Sequence, residues 1–336
     1  MISVRNKLLL FGLVLVLSLS LVACGGKQEA TPPEGEAEGE AAEWVFERPI
    51  EIIIPFGPGS GTDTTIRAWA PLAEKELGVP INIQNVEGAG GIKGAEYLAN
   101  QERDGYTFGM FTPSHVIAAV TGTANFDILN ETVPVVRLVH DNNIILAGKH
   151  TPYNNLEELI EYCKSNPGKK PSLGMMSIQG IDGAAAKQLC DEAGIELEFI
   201  PYGSGAEANA AVLGGHTDMV LTSPFDGNAY IESGDMKGIV LLAEQRASSL
   251  PDIQCTGELG IDAYIGPWRG LVAMKGTPQG AIDALESAAK KVEEKQEWKD
   301  WKKSVSLDDR PGFADQEQFT QIWFEYYEAM KELLAN

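Results

Sequence analysis

Basic residues are scarce in this chain: 26 lysines and arginines stand against 48 aspartates and glutamates, a net charge of −22. A surface of that sign repels phosphate backbones and anionic lipid, which argues against nucleic-acid binding and against membrane contact beyond a covalent anchor. Histidine and cysteine are equally sparse, with four of each. His115, His140, His150 and His216 form no HExxH pair and no GxSxG elbow occurs, so catalysis has no motif to rest on and no enzyme is expected. The cysteines show no CxxC pair or other metal-ligand spacing, so no metal is expected. For Cys163, Cys190 and Cys255, one disulfide (Cys163 to Cys190) and three free thiols are both open. No glycine run ends in Gly-Lys-Ser/Thr, and after Gly88 and Gly90 a dinucleotide fingerprint would need glycine where Lys93 stands. No cofactor is expected.

The chain does have a distinctive start. Arg5 and Lys7 precede the apolar stretch Leu8 to Val22, which ends in Leu21-Val22-Ala23-Cys24 and resembles a bacterial lipoprotein signal. The resemblance implies a signal peptide over 1–23 and lipid on Cys24, which anchors an extracytoplasmic chain at the cell surface or in the periplasm. Residues 24–43, rich in Gly, Ala, Pro and Glu, read as a disordered acidic linker.

From Trp44 onward there is room for two lobes. Ile50 to Ile54 form an apolar run without alternation, which suits a buried parallel strand. Pro55-Phe56-Gly57-Pro58-Gly59-Ser60-Gly61-Thr62-Asp63 must then turn sharply. Thr62 and Asp63 are candidate N-caps, and Ile66, Trp69, Ala70, Ala73 and Leu77 recur at helical spacing. The pattern repeats with Ile81 to Val86, a second glycine run over 87–94, and Ala95, Leu98 and Ala99. Glycine loops that lead into helix N-termini outline an anion site made of main-chain amides. Further strand-like runs at 106–111, 133–139, 144–147, 197–201, 219–222 and 239–242 alternate with helical patterns, which predicts an α/β fold with parallel sheets. Phe319, Trp323, Tyr326, Tyr327, Met330 and Leu334 form a stripe on the last helix, read as core packing onto the first lobe.

Together with the loops at 55–63 and 88–91, Asp104-Gly105-Tyr106-Thr107, Pro201-Tyr202-Gly203, Leu213-Gly214-Gly215-His216-Thr217-Asp218, Leu250-Pro251-Asp252-Ile253, Trp268-Arg269-Gly270-Leu271 and Gly276-Thr277-Pro278 carry a resemblance. In order, from Pro49 to the C-terminus, the chain resembles the solute-binding proteins of tripartite tricarboxylate transporters. That implies a two-lobed fold like the type II periplasmic binding proteins. Each lobe is a mainly parallel sheet flanked by helices, with the ligand cleft between lobes. The expected division is 44–143 plus 268–336 for lobe 1 and 144–267 for lobe 2, with Ile144–Ala147 and Trp268–Met274 as the crossings. The ligand that the resemblance implies is a small organic carboxylate: a di- or tricarboxylate, an amino acid or an aromatic acid. The implied partners are the integral membrane subunits of the transporter, and the chain is expected to be a monomer. A sensory binding protein that signals to a receptor kinase is the alternative, and a secreted hydrolase the weaker one.

The resemblance places one ligand carboxylate on Phe56, Gly57, Gly59, Ser60, Gly61 and Asp63, and on Ala89, Gly90 and Gly91. Asp63 either contacts ligand or caps the first helix, because its own charge opposes an anion. Ser114 and His115 follow a strand and face the same choice between contact and structure. Tyr202, Thr222 and Ser223 are the second-lobe counterparts. The stretch Ser177-Ile178-Gln179-Gly180-Ile181-Asp182-Gly183 departs from the family's pattern there. Ser177, Gln179 and Asp182 are candidate contacts, and Asp182 with Asp226 could hold an ammonium group or a cation, or both could be solvated.

Overall fold

The structure is a computed structural model that describes residues 44–308 and 310–335. The expected signal peptide, Cys24 and the linker lie outside the described residues. In chain order the elements are β1 (Ile50–Ile54), α1 (Gly61–Leu77), β2 (Ile81–Asn85), α2 (Ile92–Ala99), β3 (Thr107–Phe111), α3 (Pro113–Thr121) and α4 (Ile128–Glu131). There follow β4 (Thr132–His140), β5 (Asn143–Gly148), α5 (Leu156–Ser165), β6 (Ser172–Met175), α6 (Ile181–Ala193), β7 (Glu198–Pro201), α7 (Gly205–Leu213), β8 (Met219–Thr222) and α8 (Pro224–Glu232). The chain ends with β9 (Met236–Leu242), β10 (Trp268–Met274), α9 (Gln279–Glu294), α10 (Gln296–Ser304) and α11 (Gln316–Ala335).

Two five-stranded sheets result, ordered β2-β1-β3-β10-β4 and β7-β6-β8-β5-β9. In each, three parallel strands are followed by one antiparallel strand, β10 or β5, and then by an edge strand. Helices cover both faces. Ile50, Ile52 and Ile54 pack under α1 and α9, whereas Ile53 packs under α2, α3 and α11. Both sides of β1 are therefore apolar, which is why its run does not alternate. In the second sheet Ile145 and Ala147 face α5 and α6, and Ile144 and Leu146 face α7.

The expected crossing strands are not crossings. Ile144–Ala147 pairs only within the second sheet and Trp268–Met274 only within the first. Both are buried along their whole length, as interior strands must be. The chain instead passes between sheets at the polar pair Asp141-Asn142 and around Gly266-Pro267. Asp141 N donates to Pro267 O at 2.7 Å, and Asn143 Nδ2 to Ile265 O at 3.0 Å. Arg310 braces both passages, donating to Asn142 Oδ1 at 3.3 Å and to Tyr264 O at 3.2 Å.

The aromatic stripe divides. Phe319 and Trp323 pack on the first sheet, while Met330 meets Ile117 of α3 and Ala184 of α6, so the end of α11 touches a helix of the second sheet.

Candidate functional site

Strand β1 ends at Pro55, and the loop after it is held from behind. Asp63, 3% exposed, accepts from Gly59 N at 2.9 Å, Arg67 Nε at 2.9 Å and Asn85 Nδ2 at 2.9 Å. Asn85 also donates to Phe56 O at 2.9 Å, tying the end of β2 to the loop. Burial pushes the Asp63 carboxyl up, but the bonds from Arg67, Gly59 and Asn85 outweigh it and hold the group below its ordinary range. The helix is capped by Ser60, which accepts from Asp63 N at 3.3 Å, rather than by Thr62 or Asp63. Asp63 stands three residues in, so its carboxylate can reach back over the turn.

After β2 the chain makes a tight 3-10 turn over Ala89–Gly91. Gly88, Ala89, Gly90 and Gly91 all have positive φ. The first bond of the turn runs from Gly91 N to Gly88 O at 3.0 Å, so the amides of Ala89 and Gly90 are not spent within it. Gly91 must be glycine, because a Cβ there would lie 2.9 Å from His115 Nε2 and 3.1 Å from Phe56 Cζ.

His115 is fully buried and stacks on Phe111 with ring centroids 4.1 Å apart. Its Nδ1 accepts from Thr112 N at 3.0 Å, closing a capping box at the start of α3 in which Thr112, not Ser114, is the N-cap. Burial pushes the imidazole down to about 4 against the opposing pull of the Thr112 and Gly91 backbone, so the ring is neutral at pH 7.

In the second sheet the loop after β6 leads into α6, whose N-cap Gly180 offers no side chain. Asp182 turns back and accepts from Met176 N at 3.0 Å. It is 8% exposed, and burial pushes its carboxyl up to about 6 although the Met176 and Ser177 amides oppose that.

These loops enclose a cleft of about 630 Å³. Of the sequence-predicted residues, Phe56, Gly57, Ala89, Gly90, Gly91 and Ser114 line it from the first sheet, and Ser177, Gln179 and Asp182 from the second. The others stand off its wall. Gly59, Ser60 and Asp63 shape the first loop from behind, and Gly61 abuts Arg269, whose Nη2 would lie 2.5 Å from a Cβ there. His115 lies beneath Gly91. Tyr202 bonds Thr217 through its hydroxyl and lays its ring over Gly174. Thr222 ends β8, and Ser223 caps α8 by accepting from Asp226 N at 3.3 Å. Asp226 also accepts from the Ser223 hydroxyl at 3.3 Å.

Sequence reasoning missed Glu87, Ile117, Ala118, Thr121, Thr123, Met176 and Ile181 as lining residues. Ile117 and Thr121 are four apart on α3, a spacing that marks one helix face without saying what it faces. Among the described residues no group of three or more His, Cys, Asp or Glu could hold a metal ion, and no helix is long and apolar enough to cross a membrane.

Three comparisons bear on this arrangement. The family model described as "Tripartite tricarboxylate transporter family receptor" matches residues 65–332. A UPF0065 protein of Bordetella pertussis is 31% identical over 245 residues, 72% of this chain and 76% of that one. A TctC solute binding protein from Polaromonas, solved without ligand, is 27% identical with a TM-score of 0.72, covering 86% of this chain and 98% of that one. MatC from Rhodopseudomonas palustris, solved with bound malate, shares the fold at 22% identity and a TM-score of 0.72, covering 85% of this chain and 99% of that one.

Proposed function

Since the chain belongs to the tripartite tricarboxylate transporter receptor family, we propose that it captures a small organic carboxylate between its two lobes and delivers it to the integral membrane subunits of such a transporter. The observation that carries this reading is the convergence of loops from the carboxyl ends of β1, β2 and β6, with the start of α3, on one cleft. Amides of Ala89 and Gly90 supply neutral donors for a carboxylate, and the N-terminus of α6 faces them from the other lobe. Neutral donors suit an acidic protein, since they hold an anion without the desolvation cost of a buried lysine or arginine.

The cycle is binding and closure, with no covalent step. Rotation at Asp141-Asn142 and Gly266-Pro267 brings the lobes together, expels water and strengthens the amide contacts. The membrane subunits then recognise the closed form. The chain is held outside the cytoplasmic membrane by lipid on Cys24, with residues 24–43 as the tether. The malate bound by a protein of the same fold supports the ligand class.

A thermal-shift panel of mono-, di- and tricarboxylates, amino acids and aromatic acids tests this, because a ligand of the native state raises the melting temperature by mass action. One class of acid is expected to shift it, with a smaller radius of gyration in solution scattering. A panel in which no acid binds, or one whose bound compound is recovered chemically altered, overturns the reading.

A further inference from the structure

The charge of the cleft wall is one-sided. Its lining contains no lysine or arginine, but it does contain Glu87 and Asp182. Lys93 runs along Gly88, its Nζ 3.2 Å from where a Cβ there would stand, without itself lining the cleft. Glu87 is exposed and solvated. Asp182 is not: it is more than nine-tenths buried, it accepts only from the Met176 and Ser177 amides, and no cation contributes to its environment. Nearby, from α11, the Tyr326 hydroxyl is buried with no hydrogen-bond partner among the described residues, and the Asp182 charge adds to the burial that keeps its proton on.

Closure on a ligand would bury Asp182 further, and the ligand decides whether that is favourable. A dicarboxylate brings a second anion toward an uncompensated one, and a plain apolar acid leaves Asp182 unpaired. A protonated amine compensates it. Building on the carboxylate-receptor reading above, we propose that Asp182 selects a carboxylate that also carries a protonated amine. The carboxylate lies on the first-lobe amides, the amine on Asp182, and the carbon chain on Ile117, Ala118 and Ile181.

The test is titration calorimetry of the full chain with matched acids of three to seven carbons: the monocarboxylate, the α,ω-dicarboxylate, and amino acids with the amine at each carbon in turn. At one chain length an amino acid is expected to bind at least about tenfold tighter than its unsubstituted and dicarboxylate counterparts. Asp182→Asn, which keeps an acceptor for Met176 N, is expected to erase that preference, weakening the amino acid and strengthening its monocarboxylate and dicarboxylate counterparts. A dicarboxylate that equals the best amino acid, or a preference that survives Asp182→Asn, overturns the proposal. Should the variant fail to fold, the wild-type ranking still decides. Binding of carboxylates without preference for the amine overturns this inference alone, whereas binding of none in this series or in the wider panel overturns the receptor reading with it.

Discussion

Asp63 and Asp182 hold corresponding places in the two lobes. Each stands in the first turn of the helix that follows the middle strand of a parallel triplet, β1 or β6, and each turns back to accept an amide of the preceding loop. Their surroundings differ. Asp63 also takes Arg67 and Asn85, so its charge is compensated and it acts as the anchor of its loop. Asp182 has backbone donors only, and burial raises it to about 6. The same topology thus makes one aspartate a structural anion and leaves the other without a charge partner on the cleft wall. Position in a fold does not set a carboxylate's role; its partners do.

Substitutions can break or sharpen this contrast. The largest effect is expected at Asp63→Ala, which leaves the Gly59 amide, Arg67 and Asn85 without their acceptor. A loss of about 3 kcal/mol in chemical denaturation is expected, and a loss near zero would remove Asp63 as the anchor. Asp182→Asn is expected to act in the opposite direction. A carboxyl raised in the folded state costs nothing at a pH below its ordinary value of 3.8, and its full penalty is reached above about 6. The variant should therefore match wild type at pH 3 and exceed it by about 2–3 kcal/mol at pH 8, measured by urea unfolding at both values. Equal stability at both would mean that Asp182 is not held unpaired.

The next effect concerns the first helical residues, Gly61 in α1 and Ile181 in α6. Gly61→Ala drives a methyl into the Arg269 guanidinium and should cost about 1–2 kcal/mol, since Arg269 is itself buried beside Asp141. A neutral result would show that the guanidinium moves freely. The smallest effect is expected from Arg67→Ala. That side chain is 49% exposed, so removing it should cost under about 1 kcal/mol. A larger loss would give Arg67 a greater share of the anchor than Asn85 and Gly59.

Legibility in the sequence followed the same division. β1, its glycine loop and α1 could be read because isoleucines at 50 and 52–54, three glycines and a helical apolar spacing are local signals. β6 escaped notice. Its Ser-Leu-Gly-Met has only two large apolar residues, because Gly174 leaves room for the Tyr202 ring, with a Cβ there 3.0 Å from Cε2. The glycines at 57 and 88–91 pointed to a loop that could approach a ligand, but nothing local distinguished Ser114, on the wall, from His115, beneath it.

Sequence alone determined the α/β alternation, the two glycine loops and the acidic surface, since these depend on residue type and near-neighbour spacing. The tertiary structure decided the rest. Only it placed the crossings at Asp141-Asn142 and Gly266-Pro267, brought α3 and α6 to one cleft, and gave Asp63 the Asn85 amide while leaving Asp182 no side-chain donor. Those outcomes depend on which distant groups share a buried space, and a charge out of water is governed by such neighbours rather than by its place in the chain.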